Sequence, residues 1–186
     1  MSLLGFCEWL AATRGSIALH ESLYMYPLLE SAHVLTLMLF VGSAAMLDLR
    51  LLGLTLREVP VSEVLERLLP WLKAGFAVML VTGLLLFYAI PVRTYQSIFF
   101  RIKVLMLLGA GLNVWIFERR VRRSVSEWDL ARVPPRGARV AAALSLLLWA
   151  GIVVAGRMIA YNWFDCDLQP QPAFVNWAAG CVVPQQ

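Results

Sequence analysis

Long apolar stretches alternate with short polar ones along the chain, and the lengths of the apolar stretches set the class of structure. Four runs reach the ~18 residues that a helix needs to cross a hydrocarbon layer: roughly Tyr24–Leu47, Leu69–Ile90, Ile98–Phe117 and Val140–Tyr161. Each is bounded by charge or proline. None shows the alternation of ~10-residue barrel strands, and in lipid a helix satisfies its own backbone groups. The pattern predicts an all-α polytopic membrane protein: a four-transmembrane-helix bundle, one membrane domain over residues 1–186, with spans at 24–47, 69–90, 98–117 and 140–161.

The flanking segments are shorter. Over residues 1–22, apolar Leu3, Leu4, Phe6, Cys7, Leu10 and Ile17 are interrupted by Glu8, Arg14 and Gly15. With no basic start and no long apolar core, it does not read as a signal peptide, and it predicts a short interfacial helix at the membrane surface. Val61–Leu69 reads as a second short piece leading into the second span, with Pro70 in that span's first turn. Ser124 and Glu127 have capping-box spacing for a short helix between the last two spans. Residues 162–186 are expected to form an extracytoplasmic tail.

Composition agrees with the pattern. The chain is 60% hydrophobic and 15% charged, with mean hydropathy +0.72, against about 45–50% and about 25% in soluble domains. A soluble enzyme, a nucleic-acid binder and a disordered chain are excluded. With four spans, the sixteen Lys and Arg divide eleven to five between the two sides. The rich side holds Arg50, Arg57, Arg67, Lys73, Arg119, Arg120, Arg122, Arg123, Arg132, Arg136 and Arg139. The positive-inside rule makes that side cytoplasmic. The expected setting is the bacterial inner membrane, with both termini and the tail periplasmic. The run ERRVRR (Glu118–Arg123) then marks topology, not nucleic acid. Expected partners are the lipid bilayer and either subunits of a membrane complex or further copies of the chain.

That orientation bears on the cysteines. Cys166 and Cys181, both in the tail, are expected to form a disulfide outside the cytoplasm, the alternative being two unpaired thiols with one packed in a core. Cys7 is left over, and the absence of C-x-x-C spacing argues against zinc.

Ionisable groups within spans are costly and default to functional hypotheses. Glu30 and His33 share a face of the first span. Arg101 and Lys103 open the third, and Arg157 nears the end of the fourth. The expected topology brings all five to the outer leaflet, with His20 and Glu21 at the surface beside them. Each also has a plainer reading. The cations could snorkel to headgroups, Glu30 could pair with Arg101 or Arg157, and His33 could be a core hydrogen-bonder. Together they have the layout of a haem b site. His33 would be the metal ligand, Arg101, Lys103 and Arg157 would hold propionates, and Glu30 would orient the imidazole. His20, a methionine such as Met106 or Met158, or no residue at all could fill the second axial position. With two histidines in the chain, a two-haem bis-His arrangement is excluded within one chain. Copper is the competing metal, but Met38, the nearest methionine after His33 on that span, is off the ideal face.

Other polar and small residues read as structural. Gly109, Ala110 and Gly111, and Gly151, Ala155 and Gly156, suit close helix approach. Asn113 is expected to hydrogen-bond across helices, and Asp48 to make a salt bridge with Arg50 or a headgroup contact. Trp71, Trp149 and Trp163 are candidate interface or core aromatics. No phosphate loop, nucleophile elbow or HExxH is present, so enzymatic activity is left open.

The segments YPLLESAHVLTLMLFVGSAAMLDLRLLGL, LLPWLKAGFAVMLVTGLLLF, FRIKVLMLLGAGLNVWIF and LSLLLWAGIVVAGRMIAY together resemble a family of small four-helix bacterial membrane proteins of unknown function, over roughly residues 20–162. More distantly they resemble the copper-resistance D type proteins and the haem-b protoporphyrinogen oxidase family. The latter resemblance lies in His33 on an early helix and the Arg101/Lys103 pair opening a later one, and it implies a haem site there. Three functions follow as expectations. One is electron transfer through a b-type haem, between quinone and a periplasmic partner. The second is an accessory or assembly subunit without its own cofactor, and the third is copper handling.

Overall fold

Four helices dominate the chain, each with the length and apolar character of a membrane span. The structure is a computed structural model that describes residues 2–161, 164, 166 and 169–181. In chain order the helices are α1 (Leu3–Ala11), α2 (Arg14–His20), α3 (Met25–Leu51), α4 (Val61–Ala89), α5 (Pro91–Tyr95), α6 (Ile98–Ile116), α7 (Val125–Trp128), α8 (Arg136–Ile159) and α9 (Ala173–Ala179). No strand occurs among the described residues. The spans are α3, α4, α6 with its continuation to Trp128, and α8. This is an all-α, four-span membrane protein. Trp163 lies outside the described residues.

Several boundaries differ from the pattern's expectation. The N-terminal segment is two helices, because Thr13 interrupts it: its Oγ1 accepts from the Ser16 amide at 3.4 Å and caps α2. The second span begins at Val61 and runs straight through Pro70, so proline is not in its first turn. Buried Val61, Val64 and Leu65 hold the early turns against a core, and Asp129 caps them from another segment. The Ser62 amide donates to Asp129 Oδ1 at 2.8 Å and the Ser62 hydroxyl to Oδ2 at 2.6 Å. α7 forms where the Ser124/Glu127 spacing placed it, but Ser124 supplies no side-chain cap. Its hydroxyl instead accepts from Trp128 Nε1 at 3.2 Å.

The chain divides into two compact units. The first comprises Met1–His33, Val81–Leu105 and Ile152–Gln186. In it α1 packs on α5, and α2 is fastened to α4 by Ser16 Oγ donating to the Tyr88 carbonyl at 2.8 Å. Cys7 is buried and free. Cys166 and Cys181 are joined by a disulfide, Cα to Cα 5.2 Å.

The second unit comprises Val34–Leu80 and Met106–Gly151. Its core is Leu51, Val61, Leu65, Phe117, Val125, Ala138 and Ala142. Phe40 and Trp149 meet edge to face at 4.7 Å, so Trp149 is a core aromatic, whereas Trp71 is exposed. Asn113 donates to the Ala141 carbonyl at 2.9 Å, the interhelical bond the sequence suggested. Gly109 lies against Leu148 and Gly151 against the Met106 sulfur, while Gly111 has open space beside it. Gly151 seats Met106 as core filling.

Asp48 and Arg50 do not pair, contrary to expectation. Asp48 is buried and hydrogen-bonded to Ser145. Arg50 is fully buried and spends its guanidinium on loop carbonyls. Nε donates to Val59 at 2.9 Å, Nη1 and Nη2 to Ala131 at 3.4 and 3.3 Å, and Nη2 to Asp129 at 3.4 Å. Two loops are thereby held on one side chain. Gly53, at φ +72°, makes their approach feasible, since a Cβ there would stand 2.8 Å from the Arg132 carbonyl.

Candidate functional site

All five intramembrane ionisable residues singled out in the sequence fall in the first unit, but they do not form one cluster. Two of them, with one residue the sequence reading missed, make the site.

His33 sits mid-helix on α3, half-buried. Its Nδ1 shares a hydrogen bond of 2.9 Å with Oγ1 of Thr82 on α4. Thr82 is followed by Gly83, whose lack of a side chain admits the ring: a Cβ there would stand 3.3 Å from His33 Cε1. Thr82 therefore holds the imidazole, and Glu30, the expected orienting group, does not. Glu30 is exposed on α3 and interacts electrostatically with Tyr26. Thr82 was legible only as a hydroxyl within the apolar run VMLVTGLLL.

Lys103, on α6, reaches into the same neighbourhood. It is half-buried, its Nζ is 3.4 Å from where a Gly156 Cβ would lie, and its charge acts on His33. It has no hydrogen bond or ion pair among the described residues. A desolvated cation without a counter-charge is costly, and none is supplied to Lys103 among the described residues.

The remaining candidates are committed elsewhere. Arg101 donates to the last carbonyls of α9, Nη1 to Ala178 at 2.6 Å and Nη2 to Ala179 at 2.8 Å, and Nε reaches the Tyr95 carbonyl at 3.3 Å. A guanidinium at a helix C-terminus is well placed for the helix dipole, and Arg101 anchors the tail beside the disulfide. Arg157 is exposed and lies over the Tyr161 ring at 5.0 Å, as a snorkelling side chain would. His20 ends α2, edge-on to Tyr26 at 6.2 Å. It lines a separate open hollow of about 350 Å³ with Glu21, Arg93 and the turn at Pro91. Among the described residues no three of His, Cys, Asp and Glu gather as a metal site.

Four apolar spans, with an intramembrane imidazole and an ammonium that has no counter-charge among the described residues, define a polytopic α-helical membrane protein with an internal polar site. The chain belongs to a family of unknown function (DUF6644), which matches residues 6–162 and so takes in all four spans and every residue of this site. No curated protein and no solved structure matches the chain. Nothing in these comparisons supports the resemblance to copper-resistance D or protoporphyrinogen oxidase proteins.

Proposed function

We propose that the chain is a membrane redox protein that holds one b-type haem at His33 and passes electrons between a membrane donor and an extracytoplasmic partner. The observation that carries this is the tethering of His33 through Nδ1 to Thr82, with Nε2 without a partner among the described residues. With Nδ1–H donating to the threonine oxygen, the Nε2 lone pair is oriented and open. That is the arrangement of a histidine ligand fixed by an outer-shell partner. A bare metal ion would find a single protein ligand here, which disfavours copper. A porphyrin brings four nitrogens of its own, and His33 would supply the fifth. Lys103 would hold a propionate, whose charge would supply the counter-charge that Lys103 does not find among the described residues. Arg101 and Arg157 drop out of the earlier set of propionate partners, and Met106, packed on Gly151, drops out as a ligand. Haem when bound supplies one-electron chemistry tuned by its ligands and burial. The charge asymmetry of the loops supports a bacterial inner membrane, with both termini periplasmic and the His33 site in the outer leaflet.

The test is an absorption spectrum of detergent-purified protein, oxidised and then dithionite-reduced, from cells supplied with haem. A Soret band with sharpened reduced bands, lost in His33→Ala and weakened in Lys103→Gln, is expected. A colourless wild type would overturn the reading.

One observation favours a second reading, an accessory subunit of a larger membrane complex or a homo-oligomer. The α9 face carrying Phe174 and Trp177 is 66% and 78% exposed, yet Arg101 and the disulfide hold it in place. A colourless protein that co-purifies with a defined subunit, and loses it in Trp177→Ala, would support that alternative.

A further inference from the structure

The cytoplasm-proximal end of the third span carries a feature that the haem reading leaves unused. On α6, Leu108, Leu112 and Trp115 are 67%, 56% and 54% exposed. Their spacing of four and three residues makes them one stripe along the helix. The stripe runs directly into an open hollow of about 530 Å³ lined by Trp115, Glu118, Arg119, Arg122 and Arg123. A π-helical turn, Phe117–Val121, and a 3₁₀ turn, Arg122–Ser124, follow α6 here, and such π turns recur at functional sites. Phe117 and Val125 bury themselves in the core, which fixes the face that the arginines present.

The charges in the hollow are unequal in their freedom. Arg122 is occupied, forming a two-oxygen ion pair with Glu118 at 2.7 and 2.9 Å. Arg119 lies over the Trp115 ring at 5.2 Å and has no hydrogen bond or ion pair among the described residues. Arg123 is exposed, with no hydrogen bond or ion pair among the described residues. Two uncompensated guanidinium groups thus face one hollow, and a planar guanidinium matches phosphate oxygens in pairs.

We propose that this hollow binds the phosphodiester headgroup of an anionic phospholipid, with an acyl chain along the Leu108–Leu112–Trp115 stripe. The continuity of an apolar stripe with a doubly positive hollow fits a molecule that is apolar along its length and anionic at one end. A free phosphate would use the hollow and leave the stripe without a role. A nucleic acid or an acidic peptide would likewise not account for the stripe.

The experiment is native mass spectrometry of the detergent-solubilised full chain offered equal amounts of phosphatidylglycerol and phosphatidylcholine. Wild type should retain phosphatidylglycerol in preference. In R119Q/R123Q the ratio should fall roughly thirtyfold, the loss expected for two arginines near an anionic headgroup. In R57Q/R139Q, which removes the same charge from other exposed arginines of this unit, the ratio should stay at the wild-type value. Equal ratios in wild type and R119Q/R123Q, or equal losses in both double variants, would overturn the proposal. Displacement of the lipid by millimolar inorganic phosphate would overturn it too, assigning the hollow to a soluble anion. Should R119Q/R123Q not fold, R123Q alone carries the test, with a drop of roughly fivefold.

Discussion

Arg50→Met is the sharpest test of the second unit. Methionine fills a similar volume, so the substitution removes the donors without opening a large cavity. The lost bonds are unequal. The 2.9 Å bond from Nε to Val59 is a full charge-assisted hydrogen bond, worth about 1.5–3 kcal/mol. The three bonds from the terminal nitrogens, at 3.3–3.4 Å, are long and each contribute less. The Asp129 charge also acts on Arg50 and loses its partner. Removing one side of such a buried polar set costs about 3–5 kcal/mol. For a chain of this length, each kcal/mol is about 2–4 °C of melting temperature, so a drop of roughly 10 °C is expected. Intrinsic tryptophan fluorescence during thermal unfolding in detergent reads it directly, because Trp128 and Trp149 pack within this unit. Arg50→Lys keeps the charge but not the fork of donors, and should fall between the two. If Arg50→Met melts within about 2 °C of wild type, a spread that ~1 kcal/mol would already exceed, the guanidinium does not hold the two loops and the reasoning fails.

Two further predictions concern the anchors made by Asp129 and Arg101. Hydrogen bonds from the Ser62 hydroxyl, then from the Ser62 and Val61 amides, with Arg50 nearby, hold the Asp129 carboxyl below its ordinary value of 3.8. A depressed carboxyl stabilises the fold fully above its unfolded value and loses that contribution as pH falls through its lower folded value. Melting temperature should therefore drop more between pH 6 and pH 3 in wild type than in Asp129→Asn, and equal drops would remove Asp129 as the cap of α4. Arg101→Gln should release α9: amide exchange over residues 173–181 should accelerate roughly tenfold or more, the loss of a charge-assisted hydrogen bond, with further acceleration on reducing Cys166–Cys181. Unchanged exchange would mean that the disulfide alone holds the tail.

The four spans, the Cys166–Cys181 bond and the Asn113 contact were legible in the sequence because each rests on a one-dimensional constraint. Lipid demands about 20 apolar residues per crossing, a disulfide in so short a tail has few partners to choose from, and a lone amide in an apolar helix must find a carbonyl. The N-terminal cap of α4 was not legible, because Asp129 lies 67 residues from Ser62. Nor was the run through Pro70, which depends on a core assembled from α3, α7 and α8.

What only the tertiary structure decided is the division of labour among neighbouring charges. Arg101 and Lys103 stand two positions apart, as do Asp48 and Arg50. On a helix of 3.6 residues per turn such pairs point nearly opposite ways. One member of each pair therefore meets a different part of the molecule from the other. Arg101 ends on the carbonyls of α9 and Lys103 beside His33. Arg50 ends on loop carbonyls and Asp48 on Ser145. The sequence by itself placed charge in the membrane and said which spans carried it. Which charge met an anchor, and which came to lie beside an imidazole, was settled by the helices packed against each face.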